Sequence, residues 1–269
     1  MFTKRLISVT ALLAVAFLGG CASDGGEARD GWRPLFDGRT LDGWTPKIFG
    51  YPVGEDPLNT FRVENGVIVV GYGAYQDGFK NRFGHLFYKT PFKSYRFSVK
   101  YRFVGEPVKG APSYAVYNSG VMIFAQAPQT MMLRQPFPVS AEAQVLSQYG
   151  EKAWTTGNVC TPGVNIHMNG ALVKDHCTNS KIPATPNGVW MELEIDVSPT
   201  GVVTQKINGH TSLVYDQLEL DPKDGTARPL IPADGTLALT GGYIALQSEG
   251  QPIGAQFRCP ERRRPSGTG

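Results

Sequence analysis

Charge is scarce in this sequence: 18% of its 269 residues are Asp, Glu, Lys or Arg, and the formal net charge is +3. Two of the basic residues, Lys4 and Arg5, fall in an N-terminal segment read below as removed. The remainder is close to neutral, which argues against the basic surface that nucleic-acid binding requires. Cysteine is sparse as well. The four present form no Cys-x-x-Cys pair and no His-Glu-x-x-His run accompanies them, so the usual spacings of a zinc site are missing. No internal repeat is visible, and no stretch beyond the N-terminal segment carries an amphipathic helical period. The one long apolar run, Leu6 to Leu18, is short for a membrane span. What is plentiful is apolar and turn-forming material. Hydrophobic residues make up 41%, enough for one large domain or two small ones, which excludes disorder as the overall state. The 32 glycines and 20 prolines exceed ordinary usage without reaching low-complexity levels, so they point to many turns.

The N-terminus predicts a compartment. Lys4 and Arg5 form a charged n-region, Leu6 to Leu18 an apolar h-region, and Leu18-Gly19-Gly20-Cys21 resembles a bacterial lipobox. The expectation is a signal peptide over residues 1–20, lipidation of Cys21 and a polar, Gly-rich tether through Asp30. Ala22, in place of an aspartate, points to an outer-membrane lipoprotein facing the periplasm of a bacterial cell envelope. An ordinary signal peptide or an uncleaved anchor is the alternative. In an oxidising compartment the remaining Cys160, Cys177 and Cys259 permit one disulfide. Cys160 and Cys177 are expected to pair, because Val164 and Ile166, the Asn169-Gly170 turn, and Leu172 and Val173 read as a hairpin that brings its ends together. Such a loop closure stabilises by about 3 kcal/mol in the chain-entropy account.

Alternation at period two dominates the rest. Tyr95, Phe97, Val99, Tyr101 and Phe103 share one face, while Arg96, Ser98, Lys100 and Arg102 share the other. Met191, Leu193, Ile195 and Val197 alternate with Glu192, Glu194 and Asp196 in the same way. Asn65-Gly66 and Asn208-Gly209 join further strands at 61–63 with 67–70, and at 203–207 with 213–215. Additional strands are expected at 86–88, 120–125, 142–146 and 243–247. Many short strands without alternating helices predict an all-β protein, a two-sheet antiparallel β-sandwich over 31–258. Asp221 to Gly235 reads as a long surface loop and 259–269 as a disordered tail.

The order of motifs resembles the 3-keto-disaccharide hydrolase domain family. Leu35-Phe36-Asp37-Gly38-Arg39-Thr40-Leu41-Asp42-Gly43-Trp44 is similar to its opening signature. Asn118-Ser119-Gly120-Val121, Glu142-Ala143-Gln144, Trp190, Asn208-Gly209 and Gly242-Tyr243-Ile244-Ala245-Leu246-Gln247-Ser248-Glu249 follow in the family's order. Phe83-Gly84-His85-Leu86-Phe87-Tyr88, Cys160-Thr161-Pro162-Gly163 and His176-Cys177-Thr178 are similar to one branch of it. The resemblance implies a concanavalin A-like jelly roll with a concave carbohydrate-binding face. One departure is the end: related sequences continue after Phe257-Arg258 into an apolar strand, where this chain has Cys259-Pro260-Glu261-Arg262-Arg263-Arg264.

The activity implied is cleavage of a glycoside already oxidised at C3, by elimination across C1 and C2 and then hydration. That chemistry needs a base at C2 and a partner for the enolate oxygen. No cofactor is required by the sequence; a divalent metal acting as Lewis acid is possible. A carbohydrate substrate and a functional link to a sugar 3-oxidoreductase are implied as partners. Glu142 and Gln144 share a strand face opposite Ala141, Ala143 and Val145, which makes Glu142 the candidate acid/base or metal ligand and Gln144 a substrate partner. His85, opening a strand after Gly84, and His176, beside Cys177, are further catalytic candidates. Asn118, Gln247 and Glu249 are candidate substrate-binding residues, although Asn118 and Glu249 also suit turns. Tyr72, Tyr75 and Phe79 either stack on sugars or cover one end of the sandwich. Trp32, Trp44 and Trp190 read as packing residues. The rival readings are a non-catalytic carbohydrate-binding module, an envelope interaction protein, and a glycosidase using Glu142 and Glu249 at a separation of about 5 Å or about 6.5–9.5 Å.

Overall fold

The computed structural model describes residues 32–250 and 255–263, the last segment by its backbone course alone; residues 1–31, with the expected signal peptide, Cys21 and tether, lie outside the described residues. The strands in chain order are β1 (Trp32–Pro34), β2 (Trp44–Ile48), β3 (Phe61–Glu64), β4 (Val67–Val70), β5 (Gly84–Tyr88), β6 (Tyr95–Arg102), β7 (Asn118–Ala125), β8 (Ala141–Leu146) and β9 (Asn158–Cys160). They continue with β10 (Val164–Met168), β11 (Ala171–Leu172), β12 (Cys177–Thr178), β13 (Met191–Val197), β14 (Val203–Ile207), β15 (His210–Leu220), β16 (Tyr243–Ser248) and β17 (Ala255–Arg263). They form two sheets. The ten-stranded sheet runs β11-β10-β15-β14-β13-β6-β17-β4-β3, with β1 beside β17, and the seven-stranded sheet runs β12-β9-β8-β7-β16-β5-β2. Every pairing of these strands is antiparallel. The neighbours are mostly non-consecutive, so the chain crosses repeatedly between the sheets, giving the expected sandwich.

Alternation explains the layers. On β6 the side chains of Tyr95, Phe97, Val99 and Tyr101 are buried in the shared core, and β13 repeats the pattern opposite, Leu193 facing Val99 and Ile195 facing Phe97. From the seven-stranded sheet, Leu86, Val121, Ile123, Ala141, Ala143, Val145 and Leu246 complete that core. The Asn-Gly hairpin turns at Asn65, Asn169 and Asn208 have both residues at positive φ, as at Asn65 (50°) and Gly66 (76°), the twist that a two-residue hairpin needs. Tyr72, Tyr75 and Phe79 belong to the core, with the Tyr75 hydroxyl 2.8 Å from Thr60 Oγ1; they cover the sandwich and are not stacking platforms. Trp44 is also core, its Nε1 donating to the Leu35 carbonyl at 2.8 Å.

The end of the chain differs from expectation. Residues 259–263 do not begin a tail: β17 continues through Arg263, pairing Ala255–Phe257 with β4, Glu261–Arg263 with β1, and both halves with β6. Ladder bonds are made by backbone groups and do not require apolar side chains. Cys259 and Pro260 fall within the register shift between Arg258 and Glu261, where a proline without an N–H removes no regular ladder bond. Residues 264–269 lie outside the described residues.

The Cys160–Cys177 disulfide is present. Its two residues face each other across β9 and β12 at the edge of the seven-stranded sheet. The intervening β10–β11 hairpin belongs to the other sheet, so the closed loop crosses the sandwich and returns.

Candidate active site

The seven-stranded sheet is covered on its outer face as well. Phe87, Met122, Ala125 and Ala245 form a second apolar cluster there with Met131 and Phe137 of the connection between β7 and β8. That connection is pinned by Gln135, whose Nε2 donates to Gln126 Oε1 (2.7 Å) and to the Phe137 carbonyl (2.8 Å). Where the cover stops, over β7, β8 and β9, a cleft of about 510 Å³ opens.

Cross-strand register places the polar groups of its floor. Glu142 lies beside Met122 and Cys160, and Gln144 lies beside Gly120 and Asn158. On the far side of β7, Leu246 pairs with Val121, which puts Gln247 next to Gly120. Gly120 is what joins these halves. A Cβ there would meet Glu142 Oε1 at 2.5 Å and Cγ at 2.6 Å, so the glutamate side chain occupies the space that a side chain on β7 would fill. Glu142 is thereby directed across β7 toward Gln247 and Glu249. Glu249 follows β16, and residues on both sides of it are fixed by Tyr72: its hydroxyl is 2.7 Å from Ser248 Oγ and accepts the Gly250 N–H at 2.8 Å.

Both carboxyls are withdrawn from water, with Glu142 5% and Glu249 4% exposed. Burial pushes the Glu142 carboxyl up to about 8, the Gln247 side chain offsetting part of the effect. Burial, and next the negative charge of Glu142, hold Glu249 well above the ordinary carboxylate range. Like charges that cannot both ionise readily divide the roles of acid and base at one pH. Glu142 Oε1 and Asn118 Oδ1 are buried with no protein partner, so two acceptors are left for a substrate; Asn118 Nδ2 donates to the Tyr114 carbonyl at 3.0 Å.

The candidate residues separate into two groups. Asn118, Glu142, Gln144, His176 and Glu249 all line the cleft. Cys160 and Cys177 line it too, and the exposed His176 sits beside the disulfide at its edge. Gln247 and His85 lie away from the opening, fully buried on neighbouring strands. His85 is flanked by Phe87 and Phe137 at 6.3 and 6.1 Å between ring centroids. Burial, followed by the charge of Lys47, pulls its imidazole down to about 3, so it is neutral at physiological pH. Lys47 pairs with His85 in register and donates its ammonium to the carbonyls of Ile48, Tyr51 and Leu133, the last of these fastening the covering connection to β2. Among the described residues no group of three His, Cys, Asp or Glu side chains could hold a metal ion.

Sequence reasoning missed Tyr114, Phe137, Lys152 and Trp154, which also line the cleft. Trp154 carried a usable signal: it stands in Glu151-Lys152-Ala153-Trp154-Thr155-Thr156, an aromatic among polar residues with no strand alternation to bury it.

The profile of the 3-keto-alpha-glucoside-1,2-lyase-like domain matches residues 31–259, and the chain belongs to that family. Among curated proteins no sequence matches. Similar solved structures include a Parabacteroides distasonis protein assigned as a glycosyl hydrolase (16% identity, 87% of this chain and 93% of that one, TM-score 0.49). The β-glucanase of Bacillus licheniformis (10% identity, 87% and 97%, TM-score 0.47) and the carbohydrate-binding module CBM66 of Bacillus subtilis (6%, 68% and 82%, TM-score 0.38) are others.

Proposed function

We propose that this chain cleaves 3-keto glycosides by elimination across C1 and C2, followed by hydration. The observation that carries the reading is the buried Glu142–Glu249 pair that lines the cleft, with Glu142 reaching over Gly120. One carboxylate of the pair, assigned as Glu142, takes the C2 hydrogen that the C3 ketone has acidified, leaving an enolate at C2–C3. The enolate collapses back to the ketone, a C1–C2 double bond forms, and the C1–O bond breaks. The leaving oxygen takes its proton from the protonated partner, Glu249. Water then adds at C1 and a proton returns to C2, giving the free 3-keto sugar. A carboxyl held protonated by burial and a like-charged neighbour suits the second role; Glu142, whose proton burial holds up to about 8, serves the first once it has lost that proton. In this reading Asn118 and Gln144, which line the cleft, hold sugar hydroxyls. Because the substrate is already oxidised, a sugar 3-oxidoreductase must supply it.

The test is release of 4-nitrophenol from its 3-keto glucoside and from the unoxidised parent, by wild type, Glu142→Gln and His85→Ala, with and without chelator. Turnover of the keto compound alone, lost in Glu142→Gln, is expected; no turnover of either by folded protein leaves a carbohydrate-binding module as the reading. We also propose anchoring through lipidated Cys21, on the strength of the N-terminal pattern. Cys21→Ser should move the protein from the membrane to the soluble fraction of expressing cells.

A further inference from the structure

The two ends of the cleft are chemically unlike. At the floor, Glu142 Oε1 and Asn118 Oδ1 have no protein partner. Beside it, where Asn118 pairs with Leu146, the segment before β7 and the β8–β9 connection form a wall of Tyr114, Val116, Leu146, Ala153 and Trp154, with Ser147, Lys152 and Thr155 among them. Three of the polar side chains there are already committed. Ser147 Oγ donates to the Thr185 carbonyl at 2.8 Å, Thr155 Oγ1 donates to Asn158 Oδ1 at 2.9 Å, and Trp154 Nε1 donates to the Tyr149 carbonyl at 3.0 Å. Lys152 lies 4.1 Å from the centre of the Trp154 ring, the cation occupying an aromatic face. Tyr114 is 58% exposed, an unusual position for an aromatic side chain with no ring partner of its own, and its carbonyl is tied to Asn118 at the floor.

From this asymmetry we infer that the Tyr114–Trp154 end is a subsite for an apolar, aromatic aglycone, and that aryl glycosides rather than disaccharides are the preferred substrate class. The inference rests on the proposed 3-keto-glycoside activity and specifies its leaving group. A second sugar would bring several hydroxyls against a wall where the Ser147, Thr155 and Trp154 side chains are engaged and only the Tyr114 hydroxyl and Lys152 ammonium could meet them, and each hydroxyl desolvated without a partner weakens binding. A flat aromatic ring needs no such partners. It gains apolar burial against Val116, Leu146 and Ala153 and ring contacts with Tyr114 and Trp154. The chemistry agrees: a phenolate is a better leaving group than a sugar alkoxide, so elimination places less demand on the acid.

The experiment has a binding arm and a turnover arm, both on the full chain. In the first, titration calorimetry compares phenyl glucoside with methyl glucoside, neither of them oxidised. Phenyl glucoside should bind at least fivefold more tightly, and Trp154→Ala should abolish the difference while Trp154→Phe retains most of it. In the second, KM is measured for 3-keto phenyl glucoside and a 3-keto disaccharide. Trp154→Ala and Tyr114→Ala should each raise KM for the aryl compound about tenfold, and KM for the disaccharide by less than about threefold. Equal binding of the two glucosides, or equal losses on both keto substrates, would overturn the subsite. Loss of all turnover with the phenyl preference intact would instead overturn the proposed reaction and keep the subsite.

Discussion

The two sheets start from the same period-two pattern and put their polar faces to opposite uses. On β13 of the ten-stranded sheet buried and half-exposed residues alternate strictly, and Glu194 and Asp196 reach Arg96 on β6 in water-accessible ion pairs at 3.3 and 3.4 Å. On β5 and β7 of the seven-stranded sheet every residue is buried, polar ones included. Polar side chains on the first face are solvated and cost little. Those on the second, Glu142 and Asn118 among them, have lost their water, and Glu142 Oε1 and Asn118 Oδ1 have no protein substitute for it. A polar stripe that a sheet withdraws from water needs an explanation, and a substrate supplies one.

The sharpest contrast is between one glutamate of each sheet. Glu142→Gln is expected to lower kcat on a 3-keto glycoside by about 10³-fold, within the range of a lost general base, while leaving the protein folded. Glu194→Gln should change kcat less than about twofold, as for surface substitutions remote from the site. Equal effects would end the distinction between the faces.

Next in size is the disulfide that ties the edge of the cleft. Cys160→Ser with Cys177→Ser should cost about 3 kcal/mol in urea unfolding, from the chain entropy restored to the unfolded state. The change should also raise KM, because His176 and Asn179 beside it line the cleft. A stability loss with KM unmoved would confine the disulfide to the scaffold.

Gly120→Ala probes the crossing of Glu142 over β7. The new methyl meets the carboxylate at 2.5 Å and Cγ at 2.6 Å, so the side chain must swing away. About 1–3 kcal/mol of stability should be lost to overpacking, and kcat should fall about 100-fold, as displacement of a catalytic group by about an ångström does. Full activity would show that Glu142 works from another position.

The buried face also writes its own pH dependence. Glu142, held near 8 in the fold against an ordinary 4.5, keeps a proton that the unfolded chain releases. Its stabilising effect is therefore complete below 4.5 and declines as pH rises through about 8. His85 acts in the opposite sense: depressed from 6.5 to about 3, it favours the fold above 6.5 and loses that effect as pH falls toward 3. Melting temperatures from pH 4 to pH 9 should therefore peak in between, and Glu142→Gln should lessen the alkaline decline, which Glu249 shares, while leaving the acid side as it is.

Much of this was legible in the residues, for identifiable reasons. Strands β6 and β13 were readable because one of their faces stays wet, which preserves alternation in the sequence. The Asn-Gly turns were readable because few other residue pairs adopt two positive φ angles. The disulfide pairing was reached through a hairpin that exists but lies in the opposite sheet. Glu142, Gln144, Asn118 and Glu249 were found as polar residues on strand faces or ends; that they share a buried floor depends on the cover carrying Met131 and Phe137, a tertiary fact. Lys47 gave no signal at all. A lysine in Trp44-Thr45-Pro46-Lys47-Ile48 reads as solvated, and only the three carbonyls converging on its ammonium make burial tolerable.

The smallest expected effect belongs to the wet face and tests the comparison from its other side. Arg96 bridges Glu194 and Asp196 and lies 5.6 Å from the Trp32 ring, so it gathers two ion pairs and an aromatic contact. Its side chain is 32% exposed and those of its two partners 23% and 44%, and at such exposure water and salt replace most of what the pairs supply. Arg96→Ala should therefore cost no more than about 1 kcal/mol, shrinking further in high salt, and should leave kcat and KM as they are. A loss above about 2 kcal/mol, insensitive to salt, would mean that this face is shielded too. The contrast between a solvated sheet and a withdrawn one would then no longer mark where the chemistry is.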